Sequence, residues 1–341
     1  MESSVSRKIA VIGSGTWGTA ACGLLAPHVD EVMLYARRES VAQGICETHR
    51  NPQHLPNLQL PHNVRATSSL EEAFAGATEA VWAVPSAFLR STCVQARPYV
   101  DPNLPMLVLT KGIEPGTGLL MVDLVGEVLG NTARIAALSG PNHAEEIAEG
   151  KVSAAVIAAS DEAIAERFQR LFVSTAFRAY ATSDLVGVEV CGAAKNVIAI
   201  AAGMTMGLDA GDNTLAVLMT RGLAEIGRIA AACGGDPLTC MGLAGMGDLV
   251  VTCTSRHSRN RAFGIAFASG ESLASYEQRT GMVVEGAQAA LSVWELAHKL
   301  GVEAPITEAV HAVLYESQGL EEAIDGLLGR RPHEEFYGME Q

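Results

Sequence analysis

Through its first half the chain alternates short apolar runs with stretches of helical periodicity. Apolar runs of strand length lie at Lys8–Ile12, Glu31–Tyr35, Ala80–Val84, Met106–Leu109, Arg134–Leu138, Ser153–Ala158 and Phe177–Tyr180. Between them, helical spacing recurs over Thr16–Ala26, Ala87–Ala96, Leu119–Leu129 and Glu162–Phe172. Ser68 or Ser69 can cap a short helix that carries Glu71 and Glu72 in its first turn. Residues 51–61 hold three prolines and read as a loop. Strands alternating with helices through short connections predict a parallel, doubly wound sheet. From Asp184 onward strand candidates become rare. Helical periodicity dominates near Leu185–Met206, Asn213–Cys233, Arg259–Ala268, Ala287–Leu300 and Pro305–Glu316. The pattern predicts two domains, an α/β domain over 1–184 and a mainly helical one over 185–341. The length of 341 residues agrees, because single cores rarely grow past about 250–300 residues.

The run Gly13-Ser14-Gly15-Thr16-Trp17-Gly18 follows the first strand and opens the first helix. In a dinucleotide-binding turn the first glycine permits the bend, the second lets backbone approach a pyrophosphate, and the third allows close helix–strand packing. The helix N-terminus then offers free N–H groups and a positive dipole end to the phosphates. Strand, turn, helix and second strand fall in order, so the motif predicts a Rossmann-type domain rather than an ordinary tight turn. The second strand ends in Tyr35-Ala36-Arg37-Arg38, where an NAD or FAD site usually places an acid for the ribose hydroxyls. A guanidinium suits a 2′-phosphate instead, which favours NADP(H), leaves NAD(H) possible and argues against FAD. Two solvated arginines are the plainer alternative.

The formal charge, 24 − 38 = −14, disfavours nucleic acid and anionic membrane, and no long Lys/Arg run offsets it. An anionic ligand therefore needs a local basic site. Arg256-His257-Ser258-Arg259-Asn260-Arg261 holds three arginines and no acid, and a helix starting at Arg259 and Asn260 can hold a phosphate. An exposed basic turn is its alternative. The seven cysteines are scattered, with no Cys-x-x-Cys pair and no His cluster, which predicts reduced thiols, a cytosolic setting and no metal. Met1 to Lys8 lacks the apolar region of a signal peptide. The longest apolar stretch, Val197 to Leu208, is too short for a bilayer that needs about 20 residues, so a soluble protein is expected.

Three residues carry candidate chemistry. Lys111 follows the strand Met106–Leu109, and open α/β sheets bind ligands beyond the carboxyl ends of their strands. Lys195 interrupts an apolar helix, with Cys191, Gly192, Ala199 and Ala202 on its face. Desolvation there lowers a lysine toward values useful for proton transfer, whereas a snorkelling lysine keeps its ammonium in water. Asp248 ends the run Gly242-Leu243-Ala244-Gly245-Met246-Gly247. It either pairs with Lys195 or caps the next helix.

Together these stretches resemble the soluble bacterial NAD(P)-dependent glycerol-3-phosphate dehydrogenases. The likeness runs through Gly13–Gly18, Thr110-Lys111-Gly112, Ser139-Gly140-Pro141, Gly192–Ile200, Thr220-Arg221-Gly222-Leu223, Gly245–Thr254, Ser258–Arg261, Val283-Val284-Glu285-Gly286 and Pro305-Ile306-Thr307-Glu308. The resemblance implies reduction of dihydroxyacetone phosphate to sn-glycerol 3-phosphate for phospholipid synthesis, in a cytoplasmic homodimer. It implies Lys195 as general acid/base, with Lys111 and Asp248 beside it. Gly140, Asn142, Asn196, Ser258, Arg259 and Asn260 join these three against substrate. Gly13, Ser14, Gly15, Thr16, Trp17, Gly18, Arg37, Arg38, Lys111, Ala144, Arg259, Val283 and Glu285 are implied for the cofactor. Asn142 stands where many relatives carry Thr or Ser, and its amide can still donate a hydrogen bond. A β-hydroxyacid dehydrogenase is a rival, but that class pairs its lysine with Asn at i+3, where this chain has Ile198. A non-catalytic NADPH-binding regulator is a second rival, with no need for Lys195, Asp248 and the arginines together.

Overall fold

Eight strands form the sheet of the α/β unit: β1 (Lys8–Ile12), β2 (Glu31–Tyr35), β3 (Val64–Thr67), β4 (Glu79–Trp82), β5 (Met106–Val108), β6 (Ile135–Ser139), β7 (Ser153–Ala158) and β8 (Phe177–Thr182). They are seen in a computed structural model that describes residues 6–331 together with Glu334, Glu335, Tyr337 and Gly338. The strand order is β3-β2-β1-β4-β5-β6-β7-β8. Strands β1 to β6 run parallel in the order of two joined mononucleotide-binding halves. Strand order reverses between β1 and β4, so the crevice for a ligand opens where β1 ends at Ile12. Strands β4, β5 and β6 are buried along their whole length, which is why they read as continuous apolar runs.

One connection departs from the expected all-parallel sheet. Strand β7 pairs antiparallel with β6, Leu138 facing Ile157. The chain between them holds only the five-residue helix Ala144–Ala148, not the crossover helix that a parallel return needs. Parallel pairing resumes from β7 to β8 across the helix Glu162–Phe172. That helix is capped by Asp161, whose carboxylate accepts from Ala163 N. It buries Ile164, Ala165, Phe168, Leu171 and Phe172 as one stripe.

The residues group into two compact units, Met1–Thr110 with Met121–Leu185 and Lys111–Leu120 with Val186–Gln341. The ten residues after Thr110, where an antiparallel bridge joins Ile113 to Leu120, thus belong with the helical unit. At the heart of that unit lies the helix Leu185–Gly207. It is 23 residues long and, contrary to the short stretch expected, apolar enough by length and composition to cross a membrane. Within the protein 83% of its apolar window is buried. It meets the helix Arg259–Ala268 backbone to backbone. A Cβ on Gly203 would fall 2.1 Å from the Arg261 carbonyl oxygen, and one on Gly264 2.2 Å from that of Ile200. This close crossing brings Asn260 against Asn196, whose Oδ1 accepts from Asn260 Nδ2 at 3.0 Å.

The helices Glu39–Thr48, Asp248–Thr254, Leu273–Thr280 and Leu320–Leu328 were not expected from periodicity. The second follows glycines that suggest a loop, yet Leu243–Gly247 winds into a π-helical turn and feeds directly into it.

Candidate active site

In the α/β unit the glycine turn has a stringent geometry. Gly13 sits at φ +113°, and a Cβ there would lie 2.5 Å from the Ala83 carbonyl oxygen, so a side chain is excluded on both counts. Beside Gly15, by contrast, a Cβ would meet nothing within 4 Å. The helix Thr16–Leu25 has no side-chain cap. Its first N–H groups and positive dipole end therefore face open space, which fits the pyrophosphate of a dinucleotide.

A neighbouring loop braces this turn. Asn51 is fully buried and donates through Nδ2 to Ser14 O at 2.9 Å and to Thr19 Oγ1 at 2.8 Å. Its Oδ1 accepts from the backbone of Gln53 and His54, while His54 Nδ1 lies 3.4 Å from Thr16 Oγ1. Sequence reading gave residues 51–61 no role; the asparagine opening a proline-rich turn was the available signal. Arg37 and Arg38 are exposed just past β2, and Arg38 bonds to the Gln53 side chain. Trp17 Nε1 donates to Asn142 O at 3.0 Å and to its Oδ1 at 3.2 Å. The buried Nδ2 of Asn142 has no partner among the described residues. Gly140 follows β6 at φ +147° and packs on the Ala154–Ala155 backbone, and Ala144 opens the short helix after it.

The helical unit holds a buried charge centre. Asp248, the first residue of its helix, has Gly247 rather than itself at the cap position, so its carboxylate is turned to the lysines. Lys195 Nζ lies 2.9 Å from Asp248 Oδ1, and Lys111 Nζ lies 2.6 Å from Oδ2. Lys195 also donates to Thr252 Oγ1 at 2.7 Å, and Thr252 donates to the Asp248 carbonyl oxygen at 2.5 Å. With side-chain exposures of 7% and 4%, Lys195 and Asp248 are enclosed, while Lys111 at 18% reaches the edge. Lys195 therefore does not snorkel.

Burial drives the Lys195 amine below its ordinary basicity, and the nearby Lys111 ammonium lowers it further; Asp248 opposes both without cancelling them. At Asp248 burial favours the neutral acid, but the two ammonium groups prevail and hold its carboxyl below the usual range. Two cations on one anion leave 2 − 1 = +1 at the centre. This is the local positive site that an anionic ligand of so acidic a chain requires. Burial pushes the neighbouring Cys253 thiol up to about 12, which keeps it neutral and inert.

The three arginines of 256–261 do not form one basic pocket as expected. Arg259 and Arg261 are two apart on a helix and so face different ways. Arg259 Nη2 stands 3.7 Å from Glu285 Oε1, Arg261 Nε points to Met206 Sδ, and Arg256 lies beside His257. Ser258 caps the helix by accepting from Arg261 N. Asn260, besides its bond to Asn196, accepts from Gly286 N at 2.9 Å. Glu285 begins the helix Glu285–Leu300, and Val283 before it is exposed. Thr252 is the contact that sequence reading missed; its i+4 spacing from Asp248 was the signal.

A switch-point sheet with an open, uncapped phosphate turn, and a buried ammonium of lowered basicity, define a nicotinamide-dependent dehydrogenase. Among the described residues there is no group of three or more His, Cys, Asp or Glu side chains arranged to hold a metal. The family model for the N-terminus of NAD-dependent glycerol-3-phosphate dehydrogenase matches residues 8–165, and that for its C-terminus matches 184–325. The chain belongs to this family. It is 47% identical over 331 residues to glycerol-3-phosphate dehydrogenase [NAD(P)+] of Nocardia farcinica, covering 95% of this chain and 98% of that one. To the enzyme of the same name from Thermobifida fusca it is 45% identical over 334 residues, covering 97% and 99%. The crystal structure of glycerol-3-phosphate dehydrogenase from Coxiella burnetii superposes with a TM-score of 0.90 at 34% identity, covering 96% of this chain and all of the other.

Proposed function

We propose that the protein reduces dihydroxyacetone phosphate to sn-glycerol 3-phosphate, with NADPH preferred over NADH, in support of glycerophospholipid synthesis. The observation that carries this reading is the Lys195 ammonium. Two of its three N–H donors are held by Thr252 and Asp248, and the third is left for a substrate oxygen. Bound nicotinamide cofactor supplies the hydride. Lys195 donates its proton to the forming alkoxide, and its lowered basicity suits that transfer. Asp248 holds the ammonium in place, and Lys111 adds positive charge at the edge of the centre, where a phosphorylated substrate is drawn in. Arg259, only loosely paired, serves the phosphate. Asn196 and Asn260 fix the floor of the site through their mutual bond. In the α/β unit, Gly13 to Gly18 serve the pyrophosphate and Arg37 the 2′-phosphate. A cytoplasmic homodimer completes the proposal, supported by the scattered free thiols and the family resemblance.

The test is loss of reduced-nicotinamide absorbance with dihydroxyacetone phosphate, NADPH and NADH being run in parallel. Turnover with NADPH preferred is expected. In Arg37→Gln, loss of a charge-assisted bond of about 1.5–3 kcal/mol should raise KM for NADPH by roughly 10–100-fold and leave KM for NADH unchanged. A preference for NADH keeps the enzyme and removes the arginine argument. No turnover with either cofactor overturns the reading.

A pH profile checks the proton donor. Reduction needs Lys195 protonated, so kcat/KM for reduction falls as pH rises through its lowered pKa. The alkaline limb is expected below 10.5, the ordinary value for lysine. Oxidation of glycerol 3-phosphate needs the free amine and should rise across the same range. A reduction rate that stays flat up to 10.5 contradicts the assignment.

A further inference from the structure

The Cys191 and Cys240 sulfurs lie 3.1 Å apart inside the helical unit, and the reaction above uses neither. Neither is in a disulfide, and their exposures are 0% and 2%. Cys191 stands one helical turn before Lys195 on the same helix face. Cys240 belongs to the 3₁₀ turn Pro237–Met241, which leads through the π-helical turn to Asp248. A Cβ on Gly245 would fall 2.0 Å from the Cys240 carbonyl oxygen and 2.4 Å from its Cα. The backbone three residues before Asp248 therefore rests directly on the backbone of Cys240, so a displacement of one presses on the other.

We propose that Cys191 and Cys240 are a disulfide-forming pair whose closure switches the enzyme off. Two thiols give up two protons and two electrons, which reduce one small-molecule disulfide, such as oxidised glutathione, to two thiols. A mixed disulfide on Cys240 comes first and is resolved by Cys191. The turn around Cys240 lies at the surface, with Leu238 71% and Met241 60% exposed. Local opening of this short segment admits the reagent. Closing the pair draws sulfurs 3.1 Å apart to about 2.05 Å with a fixed dihedral. The part of this change that the two side chains do not absorb by rotation moves the element bearing Lys195 against the one leading to Asp248. A misplacement of about 1 Å at a reacting centre costs up to about 100-fold in rate. The pair is placed to transmit it.

The activity half of this inference rests on the roles given above to Lys195 and Asp248; the chemical half does not. The experiment treats the full chain, purified under reductant and then desalted, with excess oxidised glutathione. It follows both NADPH turnover and the masses of peptides after free thiols are blocked. A linked Cys191–Cys240 peptide, lighter by two hydrogens than its separate halves, is expected. A roughly 10–100-fold fall in kcat should accompany it, and dithiothreitol should reverse both. Cys191→Ala and Cys240→Ser, made separately, should match the untreated enzyme and resist the oxidant. Absence of the linked peptide overturns the proposal. A linked peptide with unchanged kcat overturns the switch, and loss of activity that persists in both variants assigns the effect to another thiol such as exposed Cys46. Lack of turnover before any oxidant is added condemns the functional reading instead, and the peptide masses still decide the pair.

Discussion

Lys195→Met is expected to lower kcat for reduction of dihydroxyacetone phosphate by roughly 10²–10⁴-fold, the usual worth of a positioned general acid, while NADPH still binds. Methionine keeps the length of the side chain and suits the apolar helix around position 195. It removes the proton and leaves the rest of the centre standing. Asp248 keeps its bond to Lys111 at 2.6 Å, so the carboxylate is not stranded. Thr252 loses a donor to its oxygen but keeps its own bond to the Asp248 carbonyl. A stability loss therefore competes weakly with the kinetic one. Fluorescence titration with NADPH and thermal unfolding separate the two effects, since the glycine turn proposed for the dinucleotide lies in the other unit. A variant that keeps most of its kcat means that some other group protonates the alkoxide.

The parts of this site that sequence revealed are those that local rules determine. The Gly13–Gly18 turn was legible because strand, bend and helix are consecutive; Gly13 and Gly18 each answer a steric demand, while the space beside Gly15 is left open. Lys195 was legible because a charge inside an apolar helix calls for a partner. That its partner is shared with Lys111 was not legible. The Lys111–Asp248 contact spans 137 residues, and a lysine in a loop looks the same whether solvated or paired. The arginine cluster misled for the opposite reason: neighbours in sequence are not neighbours on a helix. Strand β3 escaped notice because Val64-Arg65-Ala66-Thr67 is short and carries an exposed arginine at the sheet edge. The reversal of β7 depends on the missing crossover helix, which an apolar run for the strand itself cannot announce.

Asp248→Asn changes charge without changing shape, so it separates holding Lys195 from merely filling space. Its new Nδ2 faces a lysine as donor to donor, and two ammonium groups lose their shared anion. Removal of one partner from a buried ion pair costs about 3–5 kcal/mol, and a large fall in Tm at neutral pH is expected. The cost has an escape, because Lys195 is already shifted toward its neutral form. In the variant the carboxylate that chiefly raised its basicity is gone, so its pKa falls further. The unfolded chain keeps an ordinary lysine near 10.5 and binds more protons across the window between the two values. Stability of the variant must therefore rise with pH there. In the wild type, Asp248 has a lowered pKa, so its contribution is fully present above the usual carboxylate range and is lost only as pH falls through the lowered value. Wild-type Lys195 is lowered too and gains in the same way above its own, higher value. The gap between the two proteins should therefore narrow from the variant's lysine pKa up to the wild type's and stay constant beyond it. The kinetic signature runs alongside: the alkaline limb of reduction moves to lower pH in Asp248→Asn, and kcat drops. A variant that melts early but keeps the wild-type limb would show Asp248 to be structural alone, and the ammonium of Lys195 to be held by Thr252 without it.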